Sequence, residues 1–259
     1  MASNPNNLSL DTAGIVSSSF NSLKSSVGRL ASGSRITSAA DDPAGLAVRE
    51  LLRADIATAR QGERNLTDGI SMLQTAEGAA GVINGNLVRM KELTTKAASS
   101  VYSTPQRRLM QQEFDQLAAE NARITSQTEF NGTPLFADGQ IDFAPGGGGA
   151  ISFTTQALSM GAADLVTDPL AAANAVNAAI SQTTGYRGSL GSAMQRIESA
   201  SEVLSVQAEN LLASESRISD ADVAVEVAGM TSRQVRTEVA LASQVHAGAV
   251  TQVIQMLVA

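Results

Sequence analysis

Three groups of residues in this chain could do chemistry. His246, the single histidine, could serve as a general base; the adjacent acids Asp41 and Asp42 could contribute to a cation site; and the glycine run in "APGGGG" could wrap a phosphate. None has the company its chemistry needs. A general base requires an orienting partner within hydrogen-bond reach, and the segment from Val239 to Ala259 contains no Asp, Glu, Lys or Arg. Neighbouring carboxylates do not enclose a divalent cation without further ligands. A phosphate loop of the Walker type is followed by Lys and Ser/Thr at the start of a helix, and the glycine run is followed by "AISFTT". The absence of cysteine removes thiolate metal sites, disulfides and cysteine nucleophiles, and one histidine excludes a multi-histidine metal centre. The expectation is a chain with no catalytic residue, no cofactor and no metal.

The elements around these residues explain them better. His246 falls on a helical stripe, and Asp41 and Asp42 precede Pro43, a residue suited to the first turn of a helix whose positive end favours acids. Apolar residues make up 43% of the chain but aromatics only 3%, with no Trp. That balance suits long helices packed along seams better than a globule filled with rings. The formal charge of -7 argues against nucleic acid as a partner. The uncharged C-terminal stretch is interrupted by Ser243, Gln244, His246, Thr251, Gln252 and Gln255, so no membrane span is expected. "MASNPNNLSL" has neither a basic nor an apolar region of a secretory signal peptide.

Val16, Phe20, Leu23, Val27 and Leu30 alternate spacings of four and three, a seam for a partner helix that stops at Gly33. A second helix runs from about Ala44 to about Ser100, carrying Leu52, Ile56, Ala59, Leu66, Ile70 and Leu73, with glycines that weaken it or permit close packing. Thr104-Pro105 reads as an N-cap and first-turn proline of a third helix, which returns antiparallel after a short connection. Asn131-Gly132 is a turn signal, and Ile141/Phe143 with Ile151/Phe153 alternate about the glycine run as a hairpin. Helix resumes by about Asp168. Leu190, Met194, Ile197, Leu204, Leu211 and Ile218 mark its seam, the clearest periodic signal in the chain. A last helix, from about Ala221 to Val258, carries the stripe Val235, Val239, Ala242, His246, Ala249, Val253 and Met256. The fold class expected is mainly α: a long antiparallel helical bundle or coiled coil formed by both chain ends, with a small central β-hairpin region. The two arms, lacking an intrachain partner large enough to cover them, are expected to be disordered in the monomer.

"RLASGSRITSAADDPAGLAV", "EFNG", "GYRGSLGSAMQRIES" and "SRISDADVAVEV", in that order, resemble signatures of bacterial flagellin. The resemblance spans nearly the whole chain and implies a minimal member with only two core layers. It implies inner-layer arms at 1–31 and 221–259, spoke-like linkers at 32–44 and 216–220, and an outer helical rod at 45–215 whose β region lies at about 130–167. Arg35, Asp41, Asp42 and Pro43 belong to the first linker. The implied function is a structural subunit, exported unfolded through the flagellar type III channel, that polymerises with itself into an extracellular filament for swimming. Implied partners are an export chaperone and the junction and cap proteins. Arg89, Leu93 and Glu113 match positions through which flagellins contact a vertebrate Toll-like receptor. The chain departs from the family pattern in "SNPNN", in His246-Ala247-Gly248 and in its final "LVA". The rival readings are a hook–filament junction protein of the same superfamily and an exported coiled-coil effector.

Overall fold

The structure, a computed structural model, describes residues 5–161 and 163–258, with side chains described from Ala13 onward except at Ala247 and, beyond residue 249, only at Val253 and Met256. The outermost of the departures noted above, at Ser3, Asn4 and Ala259, lie outside the described residues.

The described residues form five helices and four short strands: α1 (Pro5–Ser32), α2 (Pro43–Ala98), α3 (Thr104–Gln127), β1 (Glu129–Phe130), β2 (Thr133–Pro134), β3 (Gly139–Phe143), β4 (Ile151–Thr155), α4 (Pro169–Ser219) and α5 (Val223–Val258). The expected mainly helical fold with a small β region is therefore the fold observed. The chain divides into two compact units, one of Met1–Asp55 with Asn210–Ala259 and one of Ile56–Glu209.

The second unit holds the continuous core. Leu66, Leu73, Leu87 and Met90 of α2, Phe114 of α3, and Val176, Leu190 and Ile197 of α4 are all essentially inaccessible to solvent. The buried positions of α2 recur every three or four residues from Ile56 to Ala97, which places one apolar stripe inward along its length. β3 and β4 pair antiparallel with Ile141 opposite Phe153 and Phe143 opposite Ile151. Their two phenylalanines enter the core while the alternate residues face out, as a period of two requires. Two glycines of α2 make room for this hairpin. A Cβ on Gly62 would lie 1.8 Å from the Pro145 carbonyl oxygen, and one on Gly69 would lie 2.7 Å from the Phe143 ring. Asn131 and Gly132, with φ of 50° and 78°, form the tight turn between β1 and β2. The cap of α3 falls one residue earlier than expected: Ser103, not Thr104, is the N-cap, and its backbone N–H donates to Gln106 Oε1 at 2.8 Å.

In the first unit α1 packs along α5. Both arms are helical and paired with each other over their described residues. Their pairing rests on a seam whose α5 side hydrophobic periodicity does not reveal.

Candidate assembly interface

The site begins where the two linkers meet. α1 ends at Ser32, and Gly33 adopts a left-handed φ of 66° that lets the chain turn away. Ser34 then forms a one-residue antiparallel bridge with Asp220. Arg35 N–H donates to the Ser219 carbonyl at 2.6 Å, Ala221 N–H donates to the Gly33 carbonyl at 3.0 Å, and the Arg35 guanidinium donates to the Ile218 carbonyl at 3.0 Å. The chain's outgoing and returning segments are thus tied by backbone bonds at the point where both change direction. Ile36, 1% exposed, anchors the crossing, and Arg49 from the start of α2 donates to its carbonyl at 2.8 Å.

Asp41 and Asp42 have separate tasks. Asp42 Oδ1 accepts from Gly45 N–H at 2.9 Å and caps α2, with Pro43 as the first helical residue. Asp41 does not cap the helix. Its carboxylate accepts from the hydroxyl and N–H of Thr37 and from Ser38 N–H, which hold it below the ordinary carboxylate range, the Thr37 hydroxyl contributing most. Asp222 caps α5 in the same way, accepting from Ala224 N–H at 2.9 Å. Ser34, Ile36, Arg49 and Asp222 were not singled out from the sequence. Asp222 carries a readable signal, an acid just before an apolar-periodic run. The other three are recognised only once the linkers are seen to cross.

Beyond the crossing α1 and α5 run antiparallel, because Ser34 lies by Asp220, Arg29 by Glu226 and Ser26 by Arg233. The inward positions of α1 are Val16, Ser19, Leu23, Ser26 and Leu30, spaced three and four apart. Val16, Leu23 and Leu30 belong to the expected seam. Phe20 and Val27 do not face α5; both are about half exposed, and Ser19 and Ser26 take the inward places. On α5 the correction is larger. The inward positions are Glu226, Met230, Arg233, Thr237, Ala240 and Gln244, whereas Val235, Val239, Ala242, His246, Ala249, Val253 and Met256 are all exposed. The two sets differ by two residues, about 200° around a helix of 3.6 residues per turn. α1 therefore meets α5 on its polar side, and the apolar stripe points away.

At the centre of this polar seam Arg29 Nη2 lies 2.9 Å from Glu226 Oε1, and Arg233 Nη1 lies 3.2 Å from the same oxygen. Arg233 also donates to the Ser26 hydroxyl, as does Arg29 at 3.3 Å. The hydrogen bond from Arg29 is the first cause holding the Glu226 carboxyl below its ordinary range, and the same bond raises the Arg29 guanidinium.

The six expected seam positions of α4 fall in both units. Leu190, Ile197 and Leu204 are buried and Met194 half-buried in the second unit; Leu211 and Ile218 are half-buried in the first. Arg89 Nε lies 2.7 Å from Glu113 Oε1, so those two of the three receptor-like residues form an accessible ion pair. Leu93 does not join them at the surface: it is 2% exposed, within the core beside α3. Its spacing of four from Arg89 does not carry it to the surface, because α2 turns that edge of the helix inward.

Among the described residues no group of three or more His, Asp or Glu could hold a metal ion, and no helix is long and apolar enough to cross a membrane. What the arrangement offers is a helical structural protein with an unpartnered apolar face on each arm. Comparison with known proteins gives that class its family. Residues 4–140 match the bacterial flagellin N-terminal helical region and residues 173–257 the C-terminal helical region. A flagellin of Halalkalibacterium halodurans is 33% identical over 88% of this chain and 89% of its own length. The flagellin of Salmonella dublin is 40% identical over 55% of this chain, a region spanning 28% of the relative. The crystal structure of Bacillus cereus flagellin aligns with a TM-score of 0.48 at 24% identity, over 59% of this chain and 94% of that one. The chain belongs to the bacterial flagellin family. It is accordingly a filament subunit, of a structural family whose members polymerise with themselves into the extracellular flagellar filament.

Proposed function

We propose that this chain is the bulk subunit of a flagellar filament used for swimming, exported unfolded through the type III channel and without catalytic activity. The observation that carries the reading is the exposed stripe of α5. Val235, Val239, Val253 and Met256 are each more than half exposed in the single chain. Burying a large apolar side chain contributes about 1.5–3 kcal/mol, and fixing a subunit in a polymer costs about 4–15 kcal/mol in rigid-body freedom. Several stripe residues on each of two arms, met by several neighbours, exceed that cost together. Residues 1–31 and 221–259 then form the inner layer, 32–44 and 216–220 the linkers, and 45–215 the outer rod; the hydrogen-bonded crossing at Ser34 and Asp220 supports the placing of the linkers. An export chaperone and the junction and cap proteins are the partners this role implies.

Seeded assembly of the purified chain, viewed by electron microscopy, tests the reading. Long tubes are expected. Short caps or adaptors would favour a hook–filament junction protein, and no polymer at all would favour an exported coiled-coil effector. Recognition of stray monomer by a Toll-like receptor is a second proposal, in which Arg89 and Glu113 are the accessible contacts and Leu93 supports the surface from beneath.

A further inference from the structure

The α1–α5 seam is built against the usual rule. Two helices with apolar stripes available pair through a mixed seam, in which Val16, Leu23, Leu30 and Met230 alternate with serines, a threonine, a glutamine and an ionic cluster, leaving Phe20, Val27, Val235 and Val239 outside. Polar groups at seam positions lower stability relative to well-packed apolar ones, and their best-attested use is to fix register and partner geometry. Here the geometry makes register matter. On α1 the inward residues Val16, Leu23 and Leu30 recur every seven residues, as do Ser19 and Ser26, so sliding one helix by seven residues keeps these residues facing the seam. The cluster does change. A slip of α5 by one heptad brings Arg233 opposite Arg29 in place of Glu226, sets two like charges together, and leaves Ser26 facing Ala240 without its donor from α5. The apolar stripe would travel about 10.5 Å with it, seven residues at 1.5 Å each.

We infer that Ser26, Arg29, Glu226 and Arg233 are positioning residues for assembly: they lock α1 and α5 in one register so that the outward stripes of both arms line up as a single face for the next copy. The inference rests on the filament reading for its consequence, but the lock itself is a property of the chain.

The chain has no cysteine, which makes register directly readable. Ser22 and Arg236 border the same cleft between the arms, so Ser22→Cys with Arg236→Cys reports the native register. Ser22→Cys with Ser243→Cys reports a slip of one heptad. Each pair is placed in the otherwise unchanged chain and in one also carrying Ser26→Ala, Arg29→Leu, Glu226→Leu and Arg233→Leu. The chains are diluted into an excess of cysteine-free protein, to suppress bonds between copies, and oxidised mildly before and after seeding. With the cluster intact, the native pair should close and the slipped pair should stay at background. With the apolar cluster, helix content should hold or rise while the slipped pair closes to a yield comparable with the native one, and filaments should become fewer or mixed in form. That combination separates positioning from simple stabilisation, which would lose helix content instead. Closure of the slipped pair in the intact chain, closure of neither pair there, or a purely native pattern with the apolar cluster would each overturn the inference. Failure of the intact chain to form tubes would count against the filament reading alone, because the register is still read on the unpolymerised chain.

Discussion

Gly62 and Gly78 sit on the same helix and illustrate how far a residue's effect depends on what stands beside it. A Cβ at Gly62 would collide with the Pro145 carbonyl, whereas one at Gly78 meets nothing within 4 Å in this chain. Gly62→Ala is therefore expected to destabilise the monomer by about 1–3 kcal/mol through forced displacement of the hairpin. Gly78→Ala is expected to stabilise it by about 0.5–1 kcal/mol through helix propensity. Chemical denaturation of the two variants checks the difference in sign. Tyr186 gives a second prediction. Its ring is buried with Phe136 and Phe153 at 5.6 and 5.9 Å, its hydroxyl donates to the Leu135 carbonyl at 2.7 Å, and burial pushes its pKa from 10.0 to about 12. A raised tyrosine pKa supports the fold fully below pH 10 and ceases to do so as the pH climbs from 10 to about 12. The melting temperature of wild type should fall across that window, and Tyr186→Phe, less stable by about 0.5–1.5 kcal/mol at neutral pH, should show a shallower fall. For the receptor proposal, burial decides which substitutions are informative. Leu93→Ala should cost about 2–5 kcal/mol of fold stability, so lost activation there reports unfolding. Arg89→Ala and Glu113→Ala should leave the melting temperature unchanged and lose activation, and full activation by both would sink the proposal.

The elements differ in how firmly they are held. α4 buries Val176, Leu190 and Ile197 completely, while α1 and α5 share a seam of few large apolar side chains. Local opening free energy follows buried apolar contact, so amide exchange of the monomer should be fastest in α1 and α5 and slowest over the middle of α4. In the filament, both arms should become strongly protected. Equal protection of arms and α4 in the monomer would contradict this account. The seam also has a pH dependence with a definite sign. Glu226 is held below its ordinary value of 4.5, first by the Arg29 hydrogen bond. A depressed carboxyl supports the folded pairing above its ordinary value, and that support is lost as the pH falls through the lower, folded value. Circular dichroism of the monomer should therefore show arm helicity falling below pH 4.5, and Glu226→Gln should flatten that part of the titration.

At the scale of the whole molecule, the proposed function gives the arms and the second unit separable tasks. A chain ending at Ala228 lacks most of α5 but leaves Ile56–Glu209 and its core intact. It should melt with the second unit's transition unchanged and fail to extend seeds at any concentration. Filament growth by such a chain would remove the arms from the assembly mechanism.

How much of this was legible in the sequence follows from what local patterns encode. The order and type of the helices, the hairpin about the glycine run, the turn at Asn131-Gly132 and the α4 seam through Leu190 and Ile197 were all readable. Each depends on interactions within a few residues or on a period that has only one solution. The caps were readable in kind but not in place: Ser103 for Thr104, and Asp42 acting without Asp41. The resemblance of four ordered motifs to flagellin was readable too, because those motifs are local strings. What periodicity left open was the choice of face. α5 carries two stripes of identical heptad spacing, one from Glu226 to Gln244 and one from Val235 to Met256, and spacing alone favours the apolar one. Only the tertiary structure shows that the linkers cross at Ser34 and Asp220 and bring Arg29 onto Glu226, which turns the polar stripe inward. It likewise decided that Leu93 is core and Arg89 surface, one helical turn apart. The physical reason is the same in both cases: a helix's period is fixed by its own backbone, but its rotation is fixed by whatever packs against it.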